Sequence, residues 1–177
     1  DRPTFLARNP ARGVEPVLRF CKTDSHADLL IPIFHFYMSE HNSKLLAEIP
    51  AINAKYPWHK RKPVLFGRFS PYLRHMHPED PYTQRRGANG SVICKNDTGS
   101  VQACKVRQHF IEWGKGHRKY IDVERYPRVK MTEHAGYKYL AHLDGQGLSS
   151  RIDQLLPLGS AVFKEESGYR GYYFHLL

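Results

Sequence analysis

The segment "KYLAHLDGQGLSSRIDQLLPLGSAVFKEES" (138–167) contains two apolar runs separated by a polar, glycine-containing turn. Residues 137–143 predict a β-strand, 150–159 a short helix, and 160–165 a second strand. Such a strand–helix–strand unit normally joins neighbouring parallel strands. The turn between strand and helix begins at Asp144, whose carboxylate we expect to accept hydrogen bonds from ligand hydroxyls. It therefore lies at the carboxyl end of the first strand, where open α/β sheets bind ligands.

The residue types in this turn suit an anion. Gly145 and Gly147 carry no side chain where a backbone must approach a ligand closely. Ser149 and Ser150 are expected to cap the helix, whose first N–H groups are unpaired and attract negative charge. Arg151 adds a planar guanidinium that matches phosphate oxygens. An ordinary capped turn with a solvated arginine fits the pattern equally well, because Gly-x-Gly without the full dinucleotide fingerprint is weakly specific.

The rest of the chain alternates short apolar runs with helix-like stretches, which indicates an α/β protein. Residues 75–103 are polar and rich in Gly, Pro and Asn, and we interpret them as a long surface excursion. The other predicted elements are strands at 15–23, 62–69 and 120–123, an extended segment at 28–37, and helices at 43–56 (interrupted by Pro50), 105–117 and 169–177.

Composition narrows the functional classes. The chain has 177 residues, a formal net charge of +10 and a pI of about 9.6. An excess of Lys and Arg attracts polyanions or phosphorylated substrates, but the only tight basic run is "HKRK" (59–62), and no nucleic-acid-binding motif accompanies it. We therefore expect no nucleic-acid partner. No apolar run approaches the length of a membrane span, and the N-terminus resembles no signal peptide. Because the chain lacks an initial Met, we expect it to be a fragment or a processed product of a longer protein.

Two cysteines bracket a short polar loop. Cys94 and Cys104 have the spacing of a disulfide-closed hairpin, and Asn89 and Asn96 begin two N-x-S/T glycosylation sequons in the same region. Together these features favour an oxidising secretory compartment. The alternative is two free thiols in a cytosolic loop. Cys21 lies in an apolar segment and is expected to act as a small buried hydrophobic residue.

The C-terminal stretch "HAGYKYLAHLDGQGLSSRIDQLLPLGSAVFKEESGYRGYYFHLL" (134–177) resembles the core signature of glycosyltransferase family 90. That family includes the protein O-glucosyltransferases and the capsule-associated (CAP10-like) sugar transferases. The segment "YPWHKRKPVLFGRFS" (56–70) also resembles the family's stretch before its nucleotide-contacting loop, although Gly67 and Arg68 stand in exchanged order. The matching signature residues are Lys138, Tyr139, Asp144, Gly145, Ser149, Arg151, Gly159 and Ser160.

This resemblance implies a GT-B-type architecture, in which two Rossmann-like halves face a cleft that holds a UDP-sugar. Residues 1–60 would belong to the acceptor-side half and the crossover. Residues 61–177 would form the UDP-sugar-binding half, with 75–104 as its surface excursion. Such an enzyme would act in the lumen of the endoplasmic reticulum or Golgi, and any membrane anchor is expected outside this chain.

The resemblance also implies an inverting transfer of glucose or xylose from a UDP-sugar to a hydroxyl of a protein or glycan acceptor. Asp1, in an Asp-x-Pro turn, would act as the general base. We expect no cofactor or metal ion, since the sequence contains no Asp-x-Asp pair. A non-catalytic component of a larger assembly is the alternative function. The expected UDP-sugar contacts are Arg68, Ser70, Lys138, Asp144, Gly145, Gly147, Ser149, Arg151 and Glu165.

Overall fold

The computed structural model describes residues 17–24, 26, 28–33, 43–76, 80–87, 90–96 and 102–177. The helices are α1 (Ser43–Lys55), α2 (Val106–Lys115) and α3 (Arg151–Leu155). The strands are β1 (Leu18–Arg19), β2 (Cys21–Lys22), β3 (Leu29–Leu30), β4 (Lys62–Arg68), β5 (Arg74–Met76), β6 (Cys94–Asn96), β7 (Gln102–Cys104), β8 (Ile121–Glu124), β9 (Tyr137–His142), β10 (Ala161–Lys164) and β11 (Arg170–Gly171).

The centre of the fold is a four-stranded parallel sheet with the order β10-β9-β4-β8. The predicted strand–helix–strand unit is present as β9, α3 and β10, with β9 and β10 paired in parallel. The structure confirms a mixed α/β protein, and its parallel sheet is compatible with a Rossmann-like fold. Because the strand order reverses between β4 and β9, the carboxyl ends of these two neighbours form the topological switch point.

Both faces of the sheet are covered, as expected for parallel strands. Successive side chains point to opposite faces, so Phe66 and Leu140 pack with α1 and α3, whereas Ala141 packs with α2. The first cluster contains Leu45, Ile52, Phe66, Ala135, Leu140, Leu155 and Leu158, and the second contains Phe69, Ile121, Val123, Ala141 and Leu143.

The excursion after β4 has more structure than its sequence predicts. Strands β5, β7 and β6 form a small antiparallel sheet, in which Cys94 and Cys104 are direct cross-strand partners. The structure joins these two cysteines in a disulfide, as predicted. A three-residue strand is too short for alternation of apolar and polar side chains to be recognised in a polar sequence. The disulfide supplies stabilisation that the small apolar core of this sheet cannot.

Several predicted elements differ from the observed ones. Helix α1 continues through Pro50, because Leu45 and Ile52 are buried in the first cluster and this packing outweighs the lost backbone hydrogen bond. The predicted helix at 169–177 is wrong: β11 pairs with β2 and is followed only by a short 3-10 turn. Within the described ranges, none of the helices has the length and apolar character needed to span a bilayer.

Candidate functional site at the switch point

The site is built at the carboxyl ends of β4 and β9. Strand β4 leads into Phe69 and Ser70, and β9 leads into Leu143, Asp144 and Gly145. These two ends are neighbours because β8 and β10 lie on opposite sides of the β4–β9 pair. In doubly wound sheets this position is the usual ligand crevice.

The buried Asp144 carboxylate holds the turn by accepting hydrogen bonds within the protein. Its Oδ1 accepts a hydrogen bond from the Ser149 backbone N–H (2.9 Å), and its Oδ2 accepts one from the Ser167 hydroxyl (2.5 Å). The His142 Nε2 lies 3.4 Å from Oδ1. Burial by itself raises the pKa of Asp144, but the His142 imidazole and the Ser167 and Ser149 hydrogen bonds outweigh burial and lower it to about 2. The expectation that Asp144 meets ligand hydroxyls is therefore corrected, since its 1% exposed carboxylate already binds the turn itself.

Glu165, at the end of β10, is similarly occupied. Its two oxygens accept hydrogen bonds from the Arg74 guanidinium, each at 2.7 Å, and Oε2 also accepts one from the Asp144 backbone N–H at 3.2 Å. Arg74 additionally donates to the carbonyls of Asp144 and Gly145. Burial works to lower the pKa of Arg74, but the hydrogen bonds and charge of Glu165 raise it. Glu165 thus anchors Arg74 rather than presenting a carboxylate to a ligand.

Arg107, in the first turn of α2, joins the two strand ends. Its guanidinium donates to the carbonyls of Leu143 (2.6 Å), Asp144 (3.0 Å) and Ser70 (3.1 Å). Burial first, and then the positive charge of Arg151, lower the pKa of Arg107 to about 10. The side chain therefore ties the segment after β4 to the turn after β9.

Arg151, the first residue of α3, lies against the carboxyl end of β4. Its Nη1 donates to the Arg68 backbone carbonyl, and its guanidinium lies over the Phe69 ring, 5.7 Å from the centroid. Burial lowers the pKa of Arg151. Among the described residues no carboxylate forms an ion pair with it, and its other N–H groups donate to none of them. Arg151 is therefore a half-buried cation at the switch point that lacks a described counter-charge.

The two predicted hydroxyl groups accompany Arg151. Ser149 follows β9 and Ser70 follows β4, and neither hydroxyl makes a hydrogen bond to any residue within the described part of the chain. The prediction that Ser149 and Ser150 cap the helix is wrong, because no side chain caps it and Asp144 accepts the Ser149 N–H instead. Helix α3 is also only five residues long, so its dipole is a small contribution here.

The glycines of the turn are not required by the backbone or by packing. Neither Gly145 nor Gly147 has a left-handed φ. A Cβ on Gly145 would lie no closer than 3.6 Å to any neighbour, and one on Gly147 would meet the Cys21 Sγ at 3.4 Å. Gln146 is exposed and residues 147–150 are half-buried, so this part of the turn contacts solvent. Gly145 itself is buried: its N–H donates to the Gly147 carbonyl, its own carbonyl accepts from Arg74, and a Cβ there would face Arg107 and Tyr72.

Two predicted contacts lie apart from this group. Lys138 is at the amino end of β9, where its Nζ lies 5.7 Å from the Trp58 ring centroid, about 20 Å along the strand from Asp144. Arg68 forms an ion pair with Asp122 at 2.8 Å and lies over the Phe66 ring. Arg68 therefore has an ion-pair partner in β8, and only its carbonyl contacts Arg151.

Asp1 and Asn89 lie outside the described residues, as does the Asn96 side chain.

Comparison with protein families fits this arrangement. A model of glycosyl transferase family 90 matches residues 1–177. The chain belongs to this family. Membership implies glycosyltransferase activity in general. A search of curated proteins found no match to the chain.

Three residues of the site at the carboxyl ends of β4 and β9 were not predicted from the sequence. Arg74 and Arg107 are two of many basic residues in a +10 chain, and nothing in their local sequence indicates burial. Tyr72, 54% exposed, presents a ring beside Gly145 and 5.7 Å from the Arg107 guanidinium. Among the described residues, no group of three His, Cys, Asp or Glu side chains could hold a metal ion.

Proposed function

We propose that this chain forms the donor-binding part of an inverting glycosyltransferase that uses a UDP-sugar. The sugar would be glucose or xylose, and the acceptor a hydroxyl of a protein or glycan. Residues 61–177 would bind the donor and residues 1–60 would contribute to the acceptor side. Family membership supports the reaction class, and the Cys94–Cys104 disulfide supports a secretory lumen as the compartment.

Arg151 is the observation that carries the proposal. A guanidinium removed from water without a carboxylate is unfavourable, and a diphosphate at the switch point would supply its counter-charge. The Ser149 and Ser70 hydroxyls could donate to the same oxygens. Gly145 would let the turn backbone come close to the ligand.

The proposed transfer needs a proton acceptor and charge stabilisation. The acceptor oxygen attacks the anomeric carbon of the sugar, its proton passes to the Asp1 carboxylate, and the bond from that carbon to the UDP oxygen breaks with its electron pair going to UDP. Arg151 would stabilise the negative charge that develops on the departing diphosphate. Asp1 has this role through the family resemblance alone. We propose that no metal ion takes part, in keeping with the absence of an Asp-x-Asp pair from the sequence.

The proposal is tested by calorimetric titration and thermal unfolding with UDP, with ADP as the nucleotide control. We expect UDP, but not ADP, to raise the melting temperature. Because a charge-assisted hydrogen bond is worth about 1.5–3 kcal/mol, Arg151→Ala should weaken UDP binding by roughly 10- to 100-fold. Arg128→Ala, which removes an exposed arginine elsewhere, should leave the affinity unchanged.

A glycine pair separates ligand contact from folding. Gly145→Ala and Gly116→Ala each place a methyl group no closer than 3.6 Å to a neighbour, so both proteins should fold normally. Only Gly145→Ala should weaken UDP binding. If UDP neither binds nor stabilises the wild-type protein, the donor role is refuted and the non-catalytic alternative is favoured.

A further inference from the structure

The disulfide-closed sheet and the crevice share two buried arginines. Arg74 in β5 is the direct cross-strand partner of Cys104 in β7, and Cys104 is bonded to Cys94 in β6. Arg107 follows Cys104 by three residues, in the first turn of α2. The disulfide therefore lies next to both arginines, one across the sheet and one along the chain.

The two guanidinium groups hold one continuous stretch of backbone. Arg107 binds the carbonyls of Leu143 and Asp144, and Arg74 binds those of Asp144 and Gly145. Both side chains are almost fully buried, with 3% of Arg74 and 4% of Arg107 exposed. Arg107 also binds the Ser70 carbonyl, so it sets the spacing between the end of β4 and the turn.

Most of the five N–H donors of each guanidinium group bind protein oxygens. Arg74 makes four hydrogen bonds, two of them to Glu165, and Arg107 makes three to carbonyls. Both groups bind carbonyls of the turn, and Gln146, the next residue, is exposed. These hydrogen bonds act on a ligand through the backbone that the two arginines hold.

We infer that Arg74 and Arg107 are positioning residues, which fix the 143–145 backbone for a diphosphate, and that the Cys94–Cys104 disulfide keeps both in place. The surface excursion is thus part of the donor site's support. The inference rests on the proposed function for its ligand, but the rigidity of the turn can be measured without one.

The first measurement is amide hydrogen exchange in the unliganded protein. Arg107→Lys keeps the charge but cannot make three forked hydrogen bonds. We expect exchange in residues 144–149 to become roughly tenfold faster, with α1 unchanged. The double variant Cys94→Ala/Cys104→Ala should also make amide exchange in residues 144–149 faster. If it does not fold, wild-type protein treated with dithiothreitol takes its place.

The control is Arg61→Lys at the opposite edge of the sheet. Arg61 is equally buried and donates to Tyr56, Leu158, Ser160 and Asn53. Arg61→Lys should lower the free energy of unfolding about as much as Arg107→Lys does, without changing amide exchange in residues 144–149.

The second measurement is the UDP affinity of the same proteins. Arg107→Lys should weaken binding roughly tenfold, whereas Arg61→Lys should leave it within about twofold. Faster exchange at the turn together with no UDP binding by the wild type would refute the proposed function and leave the positioning role standing. Unchanged exchange at 144–149, or equal effects of Arg107→Lys and Arg61→Lys, would overturn the positioning role.

Discussion

Replacing Glu165 with glutamine tests whether the Arg74–Glu165 contact behaves as a buried ion pair. The two side chains make paired hydrogen bonds of 2.7 Å, and their exposed fractions are 3% and 17%. Glu165→Gln keeps the shape but leaves the Arg74 guanidinium without its carboxylate. Removing one partner of a buried pair costs about 3–5 kcal/mol. Since Asp144 stays nearby and Glu165 is partly exposed, we expect a loss at the low end, about 3 kcal/mol.

The adjacent residue provides a matched control. Glu166 carries the same side chain but is 53% exposed, and its contact with Arg170 is 3.3 Å long on the surface. Exposed ion pairs contribute about 0–1 kcal/mol, and a glutamine at 166 retains an oxygen that can accept the Gly168 N–H. Glu166→Gln should therefore lower the free energy of unfolding by about 1 kcal/mol or less.

Urea unfolding, followed by the fluorescence of Trp58 and Trp113, measures the free energy of unfolding of each variant. The comparison requires that the slope of free energy against urea concentration be the same for both variants. The difference between the two variants should be about 2 kcal/mol. Equal losses, or a loss below about 1 kcal/mol for Glu165→Gln, would show that Arg74 is well solvated and that its burial is not what holds the turn.

Two further predictions concern the same turn and its surroundings. The folded-state pKa of Asp144, about 2, lies below its ordinary value of 3.8, so its ionisation stabilises the fold above pH 4 and is lost as the pH falls toward 2. The contribution is roughly 2 kcal/mol at neutral pH, of which about half is gone by pH 3. Asp144→Asn should therefore lose less stability than wild type between pH 5 and pH 3 in urea unfolding, and parallel pH profiles would contradict this. Gly168→Ala should cost at least about 2 kcal/mol in the same assay, because Gly168 has a φ of 80° and a Cβ would lie 2.1 Å from the Tyr82 ring. A stable Gly168→Ala protein would refute that packing.

The secondary structure around the glycine turn was largely predictable from local sequence. Residues 137–165 predict a strand, a turn with Ser149 and Arg151, a helix and a second strand, and the structure contains these elements with shifts of one or two residues and a shorter helix. The two cysteines were also paired correctly. Such predictions succeed because apolar periodicity and turn residues act over a few neighbouring positions.

Other local predictions failed where tertiary packing overrode propensity. The 169–177 segment has apolar spacing typical of a helix, but the pairing of β11 with β2 places its first residues in a strand. Helix α1 passes through a proline because its apolar face is buried against the sheet. In both cases contacts with residues far away in the chain outweigh the preference of the segment itself.

The sequence by itself determined which segments are strands and helices around the turn, the disulfide pair and the residue types available to meet a phosphate. The tertiary structure alone decided that β4 lies beside β9, which brings Ser70 and the Arg68 carbonyl to Arg151 and leaves Lys138 at the opposite edge. It also decided that Arg74 and Arg107 are buried, since the carbonyls they bind lie 70 and 37 residues away at Asp144. An arginine has the same local sequence signature in water as in a core, and only the fold places carbonyl oxygens around its guanidinium.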